Sequence, residues 1–503
     1  MSKPNLSHDE YPLPSEKEDF QLNVLSELTE NEKVIIKKAR RKIDIRVVPI
    51  VILIYIAALM DRSNIGAALV NGLREGLKLT KSEQASVTST FYIFYIICES
   101  KTAYILTCHF LKVYIPPSNI LLKMFTPHAW FGFIGCAWSI ICISLAFTKT
   151  GTTFIICRCI LGALESGLTP GVVGYLQYWY TRSEVAFRMT LFFSAIPIAG
   201  IIGSPLAGAL ANIKVGKFLP FQSIFLFEGL ITFIICAAAF FIIQDYPDKA
   251  TFFTPDEYEL VTKRLRIDQG VASESKVTMK ETIKYMLDWK VWVYALIYFG
   301  INNAYTIVSL FAPTLIRGLG YSGNVSTYLS IIPSIGGLIS CAIVLALLNK
   351  VKYVYLIFIF CTISIIFFAL VAFTSGKVIR LFYIGVVGFG TVPSIPILVS
   401  WMSVNQGGIY KGIISSAIVV SFASICGAVS PYFFVDELGP KYIGGNVFAI
   451  GFLAFSMLLS FFMFIYFKRV NKYRDENPVD LSHLTEAEQR LMNNDHPNFR
   501  FRL

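Results

Sequence analysis

Apolar residues along the chain fall into blocks separated by polar connections. The blocks are about 20 residues long, the length an α-helix needs to cross a hydrocarbon core. The pattern predicts spans over 47–69, 84–99, 128–148, 152–176, 187–212, 221–243, 291–315, 325–348, 353–374, 378–402, 412–434 and 446–467. In lipid each span must satisfy its own backbone, so the expected type is helix. The fold class is therefore read as an all-α membrane protein with twelve transmembrane helices in two six-helix halves. The boundaries follow the polar stretches: a tail over 1–45, a first half over 46–244, a central loop over 245–290, a second half over 291–467 and a tail over 468–503. Two pseudo-symmetric halves place a site between them. No strong sequence repeat relates them, so the expectation rests on counting spans. The polar stretches 1–36 and 475–503 are expected to lack order.

Composition sharpens the class. Only 15% of the 503 residues are charged and 55% are hydrophobic, against roughly 25% charged in soluble domains. The net charge of +11 follows membrane topology rather than nucleic-acid chemistry, because no basic–aromatic groove is visible. Basic residues cluster at Lys37–Arg46, along 245–290 and at Lys468–Arg474. With twelve spans all three clusters share one side, which makes both termini and the central loop cytoplasmic. The first 45 residues hold no apolar core of a cleavable signal, so the span starting near Val47 is expected to serve as the anchor. The plasma membrane is the expected location, with the endoplasmic reticulum or vacuole as alternatives, and a monomer is the expected state. Ten cysteines include no CxxC pair, and three of the five histidines, His8, His483 and His496, lie in the tails. No metal site, phosphate loop or nucleophile–base–acid set can be assembled, so neither an enzyme nor a cofactor is expected.

Charge inside the spans is rare and points to function by default. Asp61 and Arg62 end the first span, beside Ser63 and Asn64. Neighbours on a helix point about 100° apart, so this acid and base need not neutralise each other. Arg62 can present a planar fork to a carboxylate, and Asp61 can change protonation when desolvated; a solvated helix end is the plainer reading. In the fourth span Arg158 and Glu165 stand seven residues apart, about 10 Å along one face. Glu165 is the candidate proton carrier, against a fixed network with Arg158. Gly167 and Gly171 form a GxxxG, and Gly200, Gly203 and Gly208 sit near Pro197 and Pro205 in the fifth span, all read as close-packing positions, with a role of the fifth span in rocking between states as the alternative. Glu228 in the sixth span is read as structural. In the second half Asn302, Asn303, Tyr305 and Thr306, with Thr391, Ser394 and Ser400, could hydrogen-bond a neutral part of a solute or simply join helices.

Together these residues resemble the major facilitator superfamily, and more closely the fungal allantoate permease branch of its anion:cation symporters. The resemblance rests on Met60-Asp61-Arg62-Ser63-Asn64-Ile65-Gly66, on Arg158 through Gly171 with Trp179-Tyr180, and on Phe225-Leu226-Phe227-Glu228-Gly229. It continues in Asp288-Trp289-Lys290-Val291-Trp292, Phe311-Ala312-Pro313-Thr314, Leu319-Gly320-Tyr321-Ser322 and Gly439 through Gly445. It runs from about 45 to 470 and implies proton-coupled uptake of a small organic anion by alternating access. Arg62 would then hold the substrate's acidic group, while Asp61 and Glu165 take and release protons. Allantoate, nicotinate, pantothenate, biotin and sulfur-containing acids are all carried in that family. A uniporter, an exporter or a non-transporting sensor on the same fold are the alternatives.

One departure from the family stands out. Its usual Glu-x-Pro-Ser-Asn after the second span is split here between Glu99 and Pro116-Pro117-Ser118-Asn119. Removing the 16 residues 100–115, equal to 48 nucleotides in frame, restores it. Tyr104-Ile105-Leu106-Thr107 could be encoded through TACTAAC, a branch-point type. A retained intron is the expectation, and a genuine loop insertion the alternative.

Overall fold

Every element among the described residues is helical, as apolar runs of this length dictate when no partner strand exists to satisfy the backbone. The computed structural model describes residues 29–108, 126–214, 216–250, 252–273, 279–347, 350–406, 409–477, 493–497 and 499–503. The first group is α1 (Glu30–Val70), α2 (Leu73–Leu77), α3 (Lys81–Cys108), α4 (Pro127–Leu145), α5 (Gly151–Glu165), α6 (Leu168–Trp179), α7 (Arg182–Phe193), α8 (Ala195–Ala211) and α9 (Pro220–Ile242). Helices α10 (Pro255–Ser273) and α11 (Met279–Met286) occupy the central loop. The second group is α12 (Trp289–Arg317), α13 (Gly323–Leu329), α14 (Ile331–Leu347), α15 (Tyr353–Phe373), α16 (Lys377–Val404), α17 (Ile409–Val429) and α18 (Ile443–Glu476).

Ten helices among the described residues are long and apolar enough to cross a membrane. The two remaining expected spans fall short for physical reasons. Helix α3 carries Glu83, Gln84 and Glu99 among its apolar residues. The fourth span is broken: α5 has 15 residues, α6 has 12, and Ser166–Gly167 separate them. Pro170 has no amide hydrogen to continue the α5 ladder. Gly167 therefore belongs to a break, not to the continuous packing face the GxxxG suggests. Helix α3 also runs past Glu99 through Lys101 to Cys108, where a stop at Glu99 was expected; residues 109–119 lie outside the described residues.

The described parts of both tails differ from expectation, while 1–28 and 478–492 lie outside the described residues. Thr29 caps α1 through a reciprocal bond with Glu32, so helix begins well before the first apolar block. In the last stretch Phe501 stacks on Phe467 with ring centres 4.2 Å apart. The Arg502 amide donates to Asn405 Oδ1 at 2.8 Å, and Asn405 Nδ2 donates to the Arg502 carbonyl at 3.0 Å. Aromatic burial and paired backbone groups thus dock a segment whose composition reads as disordered.

Helices α1 and α12 run side by side in one direction, since Gly66 lies against Leu310 and Gly323 against Val70. The first group also meets the second where α3 packs on α17 and α8 on α14. At the end reached by Val70 the two groups are bonded together. Asn71 Nδ2 donates to Thr327 Oγ1 at 2.9 Å, Asn324 Nδ2 to Asn212 Oδ1 at 2.7 Å, and Arg74 pairs with Asp436 at 3.0 Å and Glu437 at 2.7 Å. At the opposite end the described ion pairs stay on one side each. Lys42–Glu257 and Arg264–Glu184, both 2.6 Å, belong to the first group and the central loop; Lys290–Asp495, 2.9 Å, joins the second group to the tail.

Candidate functional site

The site grows from two buried positions that the sequence places 103 residues apart. Helix α1 turns Arg62 toward α5, where its Nε donates to Glu165 Oε2 at 2.6 Å. The Glu165 side chain is fully enclosed and that of Arg62 only 15% exposed. Aromatic faces of α3 complete the setting: the Arg62 guanidinium lies 4.6 Å from the Tyr95 ring centre. A cation held over a ring and out of water gains from the ring's negative face. Arg62 Nη2 and Glu165 Oε1 have no hydrogen-bond partner among the described residues. The pair thus keeps one donor and one acceptor for a further group.

Arg158 does not pair with Glu165. Its Nε donates to the Val87 carbonyl at 3.1 Å, and its guanidinium lies 4.9 Å from the Phe91 ring centre, which ties α5 to α3. One residue before Arg62, Asp61 points elsewhere, as the helical angle requires. Its Oδ1 accepts from Thr232 Oγ1 at 3.3 Å and from Cys142 Sγ at 3.6 Å, inside the first helix group. Glu228, read from the sequence as part of a structural network, makes no such bond: neither oxygen has a partner among the described residues.

The expected second-half contacts divide. Asn302 Nδ2 donates to the Ala423 carbonyl at 3.1 Å and contacts Cys426 Sγ at 3.3 Å, so it joins α12 to α17 instead of facing a solute. Thr391 and Ser394 bond the carbonyls of Val387 and Gly390 in their own helix. Asn303 is fully buried with both side-chain polar atoms unpartnered among the described residues. Tyr305 and Asn64 share a cavity of about 50 Å³ with Ser63, Ser309 and Ser334. Pockets for drug-sized ligands run to roughly 300 Å³ or more, so the helices are drawn together here. Small residues allow that approach. A Cβ on Gly200 would meet Ser334 across the groups, one on Gly208 would fall 3.0 Å from the Tyr328 ring, one on Gly203 3.0 Å from Met60, and one on Gly171 3.1 Å from the Phe131 ring.

Sequence reading passed over Tyr95, Cys142, Trp138 and Thr232 as parts of this region, and used Glu99 only as a motif landmark. Glu99 is buried with Oε2 unpartnered among the described residues. Its spacing of four from Tyr95, which puts both on one helix face, is the signal that could have drawn it in. Among the described residues no group of three or more His, Cys, Asp or Glu is arranged to hold a metal ion.

The family model described as Major Facilitator Superfamily matches residues 51–431. The chain is 31% identical over 443 residues to an uncharacterized transporter of Schizosaccharomyces pombe, covering 88% of this chain and 85% of that one. It is 28% identical over 299 residues to a protein of Agrobacterium vitis named "Putative tartrate transporter", covering 59% of this chain and 62% of the relative. Among solved structures it is similar to a bacterial homolog of the human lysosomal transporter Spinster. The inward-facing, occupied form gives a TM-score of 0.59 at 13% identity, covering 82% of this chain and 95% of that one. The inward-facing, unoccupied form gives 0.59 at 12%, covering 86% and 98%.

Proposed function

Because the chain belongs to the major facilitator superfamily, and is thus a multi-pass membrane transporter and not an enzyme, we propose that it imports a small organic anion together with protons. The observation that carries this is the buried Arg62–Glu165 pair at 2.6 Å. A single cation cannot fully satisfy two carboxylates in a desolvated site. A substrate carboxylate that draws Arg62 away from Glu165 leaves that acid stable in this setting only in its neutral form. Binding of anion and proton at one cation is therefore linked, which is what symport requires. Tyr95 holds the guanidinium plane, while Asn64, Asn303 and Tyr305 are assigned to the rest of the solute. The tartrate named for one relative is an organic dicarboxylate, which fits this class.

The reading extends to topology. Helix α3 and the broken α5–α6 pair complete twelve spans in two six-helix halves. Both termini lie in the cytoplasm of a monomer in the plasma membrane, which makes the bonded end the extracellular one. Residues 100–115 are assigned to a retained intron. Uptake of labelled mono- and dicarboxylates into cells, with and without an inward proton gradient, tests the function. Flux without response to the gradient would point to a uniporter; no flux of any anion from correctly delivered protein would sink the proposal.

A further inference from the structure

A second acidic pair lies away from the Arg62–Glu165 contact, in a compartment bounded by α1, α4 and α9. Asp61 is fully buried and Glu228 is 1% exposed. Thr232, one turn beyond Glu228 on the same face of α9, donates to Asp61. Glu228 and Asp61 are thereby brought to the two ends of one hydroxyl-bearing helical turn. Trp138 and Cys142 of α4, also one turn apart, line the opposite wall; both are fully buried, and the Trp138 indole N–H has no partner among the described residues. Glycines bring the helices close enough to shut water out. A Cβ on Gly229 would fall 2.7 Å from the Ile143 side chain, and one on Gly135 would fall 2.6 Å from Cys236 Sγ.

The charge in this compartment does not balance. Among the described residues the carboxyl oxygens of Asp61 accept only from a hydroxyl and a thiol, those of Glu228 from nothing, and no base donates to either. The nearby cations are engaged elsewhere, Arg62 with Glu165 and Arg158 with Val87 and Phe91. The remaining titratable neighbours, Cys142 and Cys236, supply no positive charge. Two bare carboxylates in a dry apolar enclosure would each carry an uncompensated desolvation cost.

We propose that Glu228 carries a proton in this state, a neutral acid held one helical turn from the Thr232 bond to Asp61, behind the coupling site. The inference rests on Asp61 being a coupling residue, and its test needs no substrate. Infrared spectra of the full-length protein in nanodiscs at neutral pH, in H2O and D2O, isolate the carbonyl stretch of protonated carboxylic acids from the ionised surface acids. Glu228→Gln should lose one such band that shifts in D2O, and Asp61→Asn should displace the same band, because the pair is coupled. An unchanged band region in Glu228→Gln would overturn the proposal. If Glu228→Gln does not fold, Asp61→Asn alone decides, and a spectrum identical to wild type overturns it. An anion-uptake panel without flux would sink the transport reading and leave this band in place, so the two failures are told apart.

Discussion

Gly66→Ala should loosen the end at which the two halves are bonded. A Cβ at Gly66 would land on the Leu310 carbonyl oxygen and 3.0 Å from its carbonyl carbon. Backbone cannot swing aside as a flexible side-chain tip can, so the methyl must push α1 and α12 apart. Overpacking of this kind costs about 1–3 kcal/mol. On the alternating-access reading that cost falls only on the state in which the helices touch, because the other state separates them at this end. The equilibrium between states should therefore move about 5- to 150-fold toward the form open at the bonded end. Spin labels at exposed Lys78 and Ser375, on a background with native cysteines replaced, report the separation of the halves there by electron–electron dipolar spectroscopy. The variant should gain a longer-distance population. A distribution identical to wild type, in protein of unchanged thermal stability, would refute the idea that this contact belongs to one state only.

Four further outcomes follow from the same structure. Arg62→Lys keeps the charge but loses the planar fork, and losing one charge-assisted hydrogen bond of ~1.5–3 kcal/mol should weaken apparent substrate affinity by about 10- to 150-fold, measured by uptake at normal surface delivery. Glu165→Gln imitates the protonated acid and cannot cycle, so proton-driven accumulation should vanish while exchange of substrate for substrate persists; normal accumulation would shift the coupling role to Asp61. Outside the membrane, burial pushes the Glu184 carboxyl up, but Arg264 and the bond from Arg40 outweigh it and hold it below the usual range. A depressed carboxylate stabilises the fold at neutral pH and loses that contribution as pH falls through the ordinary carboxylate range, so Glu184→Gln should lower the neutral-pH melting temperature and flatten its decline in acid. Sequencing of the mature transcript should find a message lacking residues 100–115; a dominant message encoding Ser100 through Ile115 would make the stretch a genuine part of the loop.

Hydropathy placed several elements almost to the residue. Helix was expected over 221–243 and 353–374 and is found at Pro220–Ile242 and Tyr353–Phe373, because span length is set by the thickness of the hydrocarbon core. The ionisable residues of the site were visible for a related reason: Asp61, Arg62, Arg158, Glu165 and Glu228 are costly in such segments and so stand out. Their partners were not. Spacing within one helix offered a network with Arg158 as the alternative role for Glu165, but its partner is Arg62, because tertiary packing decides which faces meet. Asn302 had the chemistry of a solute contact, but the close approach of α17 claims it. The docking of Phe499–Leu503 escaped a reading based on composition, since two aromatics in a polar stretch carry no period from which burial can be inferred.

The pairing of Arg62 with Glu165 also bears on electrical work. A cation already neutralised by its neighbour crosses the membrane potential without net charge, so the return of the unloaded protein would be indifferent to voltage as far as this pair is concerned. A monoanion entering with one proton would preserve that neutrality. A dianion entering with a single proton would add a negative charge, opposed by about 2.3 kcal/mol per 100 mV of inside-negative potential. The number of protons taken up with each anion thus fixes whether the membrane potential drives, ignores or resists the cycle.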